Sequence, residues 1–436
     1  GDINGASWSV SQTYVPDDNF EQTLIDLGYD DVLDNYVVTD SINGVTSLDV
    51  GEKEISDLTG IEAFTALTEL WCDSNQLTVL DVSANTALTL LYCWYNELTA
   101  LDVSANTSLT SLSCSRNSLT TLDVSNNTAL TYLNCRSNAL TGLDVSANTA
   151  LLELKCYGNL LTALDVSNNT SLTLLHCWYN ELTALDMSAN TSLTSLSCSR
   201  NSLTTLDVSA NTALTYLNCR TNQLTALDVS ANTALTELKC YDNSLTALDV
   251  SANTGLLNLN CQTNQLTALD VSANTSLTDL RCSYNDLTIL DLSNNTALNA
   301  LVCTNNQLTS LDVSVNTALE WLYCFRNQIS SIDLSANTAL TKLHIDFNEL
   351  TSLDVSNNPA LIHLSLMGNY LTTLDASAHT ALTYFRCNNN ELTYLNMRNG
   401  ATDQLTEFKT ANNSLTCIEV NADDVAYATE NWTSAD

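Results

Sequence analysis

The chain has 436 residues, 49 of them acidic and 13 basic, which gives a formal net charge of −36 and a pI near 4.1. That balance excludes nucleic acid and anionic membrane surfaces as partners, because both need a basic footprint. At 44% hydrophobic and 14% charged it is not an acidic disordered tail either. No apolar run nears the roughly 20 residues of a membrane span, so no membrane insertion is expected, and no signal peptide opens the chain.

Residues 1–44 read as an N-terminal cap. Within them Val15-Pro16-Asp17-Asp18-Asn19-Phe20 signals a helix start. An acidic N-cap follows the proline, Phe20, Leu24 and Ile25 form an apolar stripe, and Gly28 stops the helix. From residue 45 the sequence repeats. Thirteen of the fifteen cysteines recur every 21 residues, from Cys72 and Cys93 to Cys303 and Cys324. A fixed period of this length is the signature of a solenoid. The first full unit begins Leu67-Thr68-Glu69-Leu70-Trp71-Cys72-Asp73-Ser74-Asn75 and continues Leu77-Thr78-Val79-Leu80-Asp81-Val82-Ser83-Ala84-Asn85. A 22-residue unit precedes it at Val45, and later units start at Leu382 and Leu405, making about eighteen coils over residues 45–416. Residues 417–436 are irregular and read as part of a C-terminal cap. Above the short period lies a longer one. Residues 88–171 and 172–255 align without gaps at 73 identities in 84, so coils have been added by segmental duplication.

Each unit says one phrase twice, Leu-x-x-Leu-x-Cys-x-x-Asn and then Leu-x-x-Leu-Asp-Val-x-x-Asn. Alternating inward residues predict a parallel strand in the Cys half, ended by an asparagine turn. The Asp-Val half is expected to form a second, less regular sheet or an extended ladder opposite. Asn75, Asn96 and Asn117 should point inward and bond the backbone of neighbouring coils.

With these residues in view the unit resembles the Cys-bearing 21-residue class of bacterial leucine-rich repeats. The predicted fold is therefore a leucine-rich-repeat solenoid, mainly parallel β with few helices and a short helical N-terminal cap. The segments Tyr14–Gly28 and Ile55–Glu62 resemble secreted surface proteins of Bacteroidota-type bacteria, and the first coil resembles internalin repeats. The resemblance implies an extracellular or cell-surface location and a role in binding or adhesion. It also implies that the sequence ends before a C-terminal sorting domain, and that a partner for Cys417 lies beyond Asp436.

The cysteines sit at an inward strand position where Ile345 and Leu366 substitute in later coils, which predicts buried free thiols. In-register neighbours also lie farther apart than a disulfide prefers. No paired Cys/His spacing suggests zinc, and no cofactor is expected. Fifteen aspartates, Asp81 to Asp375 in steps of 21, form a second ladder. The plain reading is a solvated or backbone-bonded turn ladder, and beside it the mutual repulsion suggests weak divalent-cation binding along it. No nucleophile elbow or singled-out carboxylate pair occurs, so an enzyme is not expected.

The informative pattern lies at four outward positions of the Cys half, aligned with residues 69, 71, 73 and 74. They hold eleven of the thirteen basic residues and sixteen of 28 aromatics. The candidate ligand-binding residues are Trp71, Tyr92, Trp94, Tyr95, Arg116, Tyr132, Arg136, Lys155, Tyr157, His176, Trp178 and Tyr179, followed by Arg200, Tyr216, Arg220, Lys239, Tyr241, Arg281, Tyr284, Trp321, Tyr323, Phe325 and Arg326. Trp, Tyr and Arg are the residues enriched at binding hot spots. In-register stacking explains single aromatics but not the gathering of arginine and lysine. The expected function is a recognition or adhesion module binding a protein or an acidic polysaccharide on this face. The alternatives are a structural spacer and, with the charged aspartates against it, a binder of regular crystal surfaces.

Overall fold

The three residues just before each cysteine of the ladder form the strand. The computed structural model of the chain describes residues 10–432, so the outermost parts of both predicted caps lie outside the described residues. It divides into two compact units, Gly1–Ala213 and Leu214–Asp436.

In the first unit eight short strands form one parallel sheet, from Ser47–Asp49 and Glu69–Trp71 to Ser195–Ser197. Register is strict, Glu69 opposite Leu90, Leu70 opposite Leu91 and Trp71 opposite Tyr92. In the second unit ten strands, from Tyr216–Asn218 to Glu407–Lys409, repeat the pattern. The fold is the predicted parallel β-solenoid with few helices.

The core is a set of columns. Leu70, Cys72, Leu77 and Val82 are fully buried, and so are their equivalents in successive coils. Fully burying each such side chain stabilises by about 1.5–3 kcal/mol. Ile345 and Leu366 stand in the cysteine column at 0% exposure, as packing alone requires. Fourteen cysteines are buried free thiols, and only Cys417 is exposed. Burial pushes the Cys114 and Cys261 thiols up to about 12, so they have almost no thiolate to react at neutral pH. A thiol reagent such as Ellman's should therefore titrate Cys417 alone in the folded protein and the ladder only after denaturation. Rapid labelling of several thiols without denaturant would contradict this packing.

The asparagines join coil to coil. Asn96 Nδ2 donates to Cys72 O (2.9 Å) and Cys93 O (3.2 Å), while its Oδ1 accepts from Leu77 N (3.0 Å). A ladder not foreseen from the sequence runs beside it, in which Thr89 Oγ1 donates to Thr68 O and Thr110 Oγ1 to Thr89 O.

The Asp-Val half differs from expectation. Among described residues of the first unit it shows only an isolated bridge, Asp81 with Asp102. In the second, only Thr373–Asp375 and Tyr394–Asn396 pair as strands, with a bridge from Asn396 to Glu419. The carbonyls a ladder would use are already engaged. Val103 O accepts from Asn106 N of its own turn and from Asn127 Nδ2 of the next coil.

At the N-terminal end the predicted helix forms over Asp18–Asp26, capped by the Asp17 side chain, which accepts from the N–H groups of Asn19 and Phe20. Phe20 and Leu24 are fully buried, but Ile25 is only half-buried. An unforeseen antiparallel pair, Gln12–Tyr14 with Tyr36–Val38, completes this end. Buried Glu21 holds it by accepting from the N–H groups of Asp34 and Tyr36. At the other end Phe385, Phe408 and Trp432 stack, centroids 5.8 and 3.9 Å apart, at the foot of the helix Val425–Asn431.

Candidate binding face

Strand residues before the cysteine alternate outward, inward, outward, which puts Trp71, Tyr92, Tyr132, Lys155 and His176 on one face of the first unit and Tyr216, Lys239, Arg281, Trp321 and Tyr323 on the corresponding face of the second. The residue after the cysteine continues each face, with Trp94, Arg136, Tyr157 and Trp178 in the first unit and Arg220, Tyr241 and Phe325 in the second. All of these are half-buried except Trp321, which is 37% exposed.

The half-burial is mutual. Within the first unit Trp71 meets Tyr92 edge-on, Tyr92 packs near Tyr132, and Tyr157 stacks on Trp178 at 4.1 Å and 14°. The basic residues join these stacks. Arg136 lies over Tyr157 (5.5 Å) and Lys155 over Tyr132 (4.8 Å). In the second unit Arg220 lies over Tyr241, Lys239 over Tyr216 and Lys342 over Trp321. Lys155, Lys239 and Arg281 also pair with Glu153, Glu237 and Asp279, each two residues away on the same strand. Cation–π packing thus accounts for much of the basic clustering that stacking of aromatics alone left unexplained.

A second group stands apart. The residue two past each cysteine lies in the turn with positive φ, between 51° and 58° at the non-glycine positions from Ser74 to Asn412. In the first unit this row includes Tyr95, Arg116, Tyr179 and Arg200, and in the second Tyr284, Arg326 and Phe347. All seven are exposed, Tyr95 at 56% and Tyr179 at 57%. Arg116 sits over Tyr95 at 5.8 Å, and Arg326 over Phe347 at 5.4 Å. Left-handed backbone favours glycine or asparagine, and a bulky residue there costs about 1–2 kcal/mol. Gly158, Gly368, Asn305 and Asn389 occupy the same position in other coils, so the turn itself does not need a large side chain. That scatter of Gly and Asn was the signal in the sequence. Phe347 was absent from the predicted set and belongs to the row.

A histidine–tyrosine column in the second unit was also missed as a group. His344 lies between Tyr323 (4.6 Å) and Tyr384 (5.8 Å), and His363 is 5.3 Å from Tyr384. Burial holds His344 down to about 4, helped by neighbouring His363, Arg386 and Lys342. Its Nε2 is buried without a hydrogen-bond partner. The fold favours the neutral ring, so its contribution is complete above the unfolded value near 6.5 and is lost as pH falls from there towards 4. Discounted for the ring's partial exposure, this is on the order of 1–2 kcal/mol. Melting temperature should fall more between about pH 7 and about pH 4.5 in the parent than in H344F. Equal falls would remove His344 as the cause.

Along the aspartate ladder the expected repulsion is present at Asp81, Asp123, Asp186 and Asp249 but is outweighed by local hydrogen bonds. The Ser83 hydroxyl and N–H hold Asp81 below the ordinary carboxylate range, and Ser104 does the same for Asp102, against weaker opposition from burial and, at Asp81, from the neighbouring carboxylate. Among the described residues no group of three or more His, Cys, Asp or Glu is placed to hold a metal ion. No helix among them is long and apolar enough to cross a membrane.

The functional domain of InlJ from Listeria monocytogenes, which includes a cysteine ladder, matches this structure with a TM-score of 0.78 and 38% identity, over 89% of this chain and 86% of that one. The chain belongs to the internalin-like leucine-rich-repeat proteins with a cysteine ladder. The internalin likeness therefore runs far past the first coil. Internalin J of L. monocytogenes serotype 4b (strain F2365) is 40% identical over 70 residues, 16% of this chain and only 8% of that protein. The LVIVD repeat family matches residues 72–94 and 282–305. The plant peptide hormone receptor RGFR1 in complex with RGF2 shares the fold at 21% identity and a TM-score of 0.71, over 83% of this chain and 69% of that one. The internalin-like fold is typical of protein-binding and adhesion modules.

Proposed function

We propose that this chain is a non-enzymatic, secreted or surface-attached recognition module that binds a protein partner along the exposed turn row beside its strand face. The observation that carries the reading is the strained row. Tyr95, Arg116, Tyr179 and Arg200 occupy left-handed positions that glycine or asparagine would fill at lower cost, and they are exposed. Strain of this kind collects at functional sites, and a spacer would have no use for it. The half-buried residues Trp71, Tyr92 and Tyr132 of the strands, with Tyr157 and Trp178 just past the cysteine, then form the supporting floor.

Most cations of the strand face already meet a ring or a carboxylate. This favours a protein surface of mixed character over an acidic polysaccharide. The leucine-rich neighbour RGFR1, seen in complex with RGF2, supports the choice at the level of fold. The test is a protein-interaction screen with the parent beside a Tyr95→Gly/Tyr179→Gly variant. A saturable partner lost by the variant supports the proposal. A partner bound equally by both removes the row as its site, and no saturable partner at all favours the spacer.

A further inference from the structure

In the second unit the strand face opens into a depression of about 320 Å³ lined by Glu237, Lys239, Asn258, Asn260, Asp279 and Arg281. Three strands in register supply it. Glu237, Asn258 and Asp279 lie opposite one another, as do Lys239, Asn260 and Arg281. The floor is therefore a grid in which two carboxylates flank one carboxamide, and in the parallel row two cations flank another. Each carboxylate is paired with its own cation. Arg281 forks onto Asp279 with two 2.9 Å contacts, and Lys239 Nζ bonds Glu237. Asn260 Oδ1 accepts from the Gln262 N–H and side-chain amide, which fixes its orientation, whereas Asn258 is exposed.

The charges at this site sum to zero. An anionic ligand would meet Glu237 and Asp279, and a cationic one Lys239 and Arg281. The two leucines in its lining, Leu238 and Leu259, are buried and no aromatic side chain lines it, so an apolar ligand gains little there. A hydroxyl suits it, because one oxygen donates to a carboxylate while accepting from the adjacent ammonium or guanidinium. Vicinal hydroxyls can do so at both pairs while bonding the carboxamides between them. A peptide backbone is a poorer match. The main-chain groups of these three strands are spent on one another, so strand addition is not available here. The volume is at the small end of ligand clefts, about 300–1,000 Å³.

We propose that this depression is a binding subsite for a neutral, hydroxyl-rich saccharide, bound through the Glu237–Lys239 and Asp279–Arg281 pairs with Asn258 and Asn260 between them. It does not rest on the protein-binding row, and the two stand or fall separately.

The experiment is saturation-transfer NMR and calorimetry on the intact chain, using neutral mannose, cellobiose-type and N-acetylglucosamine tetrasaccharides, with a sialylated trisaccharide and an uncharged polar peptide as comparators. The expected result is saturable binding of at least one neutral saccharide at millimolar concentration or below. Asn258→Trp, which fills the depression from an exposed position, should weaken it roughly tenfold or more, with an unchanged thermal melt. Asp279→Asn, which leaves Arg281 unneutralised, should weaken it too, while Tyr95→Gly/Tyr179→Gly should leave it intact. Absence of saturable binding across the neutral panel overturns the proposal. So does tighter binding of the sialylated sugar or the peptide, or binding that Asn258→Trp leaves unchanged in a folded protein.

Discussion

Replacing Tyr95 and Tyr179 together by glycine leaves stability close to that of the parent and weakens protein-partner binding by roughly thirtyfold or more. The stability half follows from opposing terms of similar size. Each glycine relieves about 1–2 kcal/mol of left-handed strain. Against that, glycine brings about 0.5–1 kcal/mol of extra unfolded-state entropy, and Tyr95 loses about 0.5–1 kcal/mol of contact with Arg116. The net is within about 1 kcal/mol of zero. The binding half follows from position. The two tyrosines are equivalent in the duplicated blocks and stand four coils apart in one unit, about 20 Å at the spacing of neighbouring strands. A partner long enough to touch both gains from their linkage, so single substitutions should each weaken it less than the pair. A half-buried ring such as Tyr157, stacked on Trp178 and covered by Arg136, should behave in the opposite way and destabilise the fold when truncated. If the double glycine variant melts well below the parent, the row is structural and the binding proposal loses its footing.

The second large effect lies in the core. Asn96→Ala should destabilise by about 3–5 kcal/mol and Asn106→Ala by about 2–3 kcal/mol. Asn96 makes three hydrogen bonds, and while Cys72 O and Cys93 O each keep a second donor, Asn75 Nδ2 and Asn117 Nδ2, its loss strands the Leu77 N–H in a dry interior. Asn106 makes two, to Val82 O and Asn85 O, and its own Oδ1 is already without a partner. Burial alone predicts the reverse order, since Asn106 is 0% exposed and Asn96 is 9%. Chemical denaturation of the two variants decides between hydrogen-bond count and burial. Because solenoids need not unfold as one step, exchange of the Leu77 amide is the sharper reading, and it should lose protection in Asn96→Ala alone. Equal costs for the two variants would show that the accepted bond contributes nothing.

Particular residues show how far the sequence reaches. Cys72 to Cys324, with Ile345 and Leu366 taking the same place, give the inward column and the parallel sheet directly, because a strict period leaves one way to bury it. Asn96 was readable for the same reason, since its phase put it inside at the end of a strand. The repulsion at Asp81 and its backbone-bonded turn were both readable, but only the structure shows that the bonds from Ser83 outweigh the neighbouring carboxylate. Arg136 and Lys155 were visible as basic residues on one face, but not as partners of Tyr157 and Tyr132. The pocket residues Glu237, Asn258 and Asp279 went unnoticed because each is an ordinary polar residue until register sets it beside the others.

The charge of −36 and the 21-residue period by themselves determined a solenoid with an apolar, thiol-lined interior and no basic surface broad enough for nucleic acid. A one-dimensional repeat fixes which residues face inward, since every coil must bury the same phases against its neighbours. Only the tertiary structure decided which outward side chains are free to meet a partner. That depends on the backbone hand at the turn, where Tyr95 is pushed into solvent, and on contacts between coils, where Tyr157 is covered. Both are set by atoms brought together from neighbouring coils, about 21 residues apart in sequence.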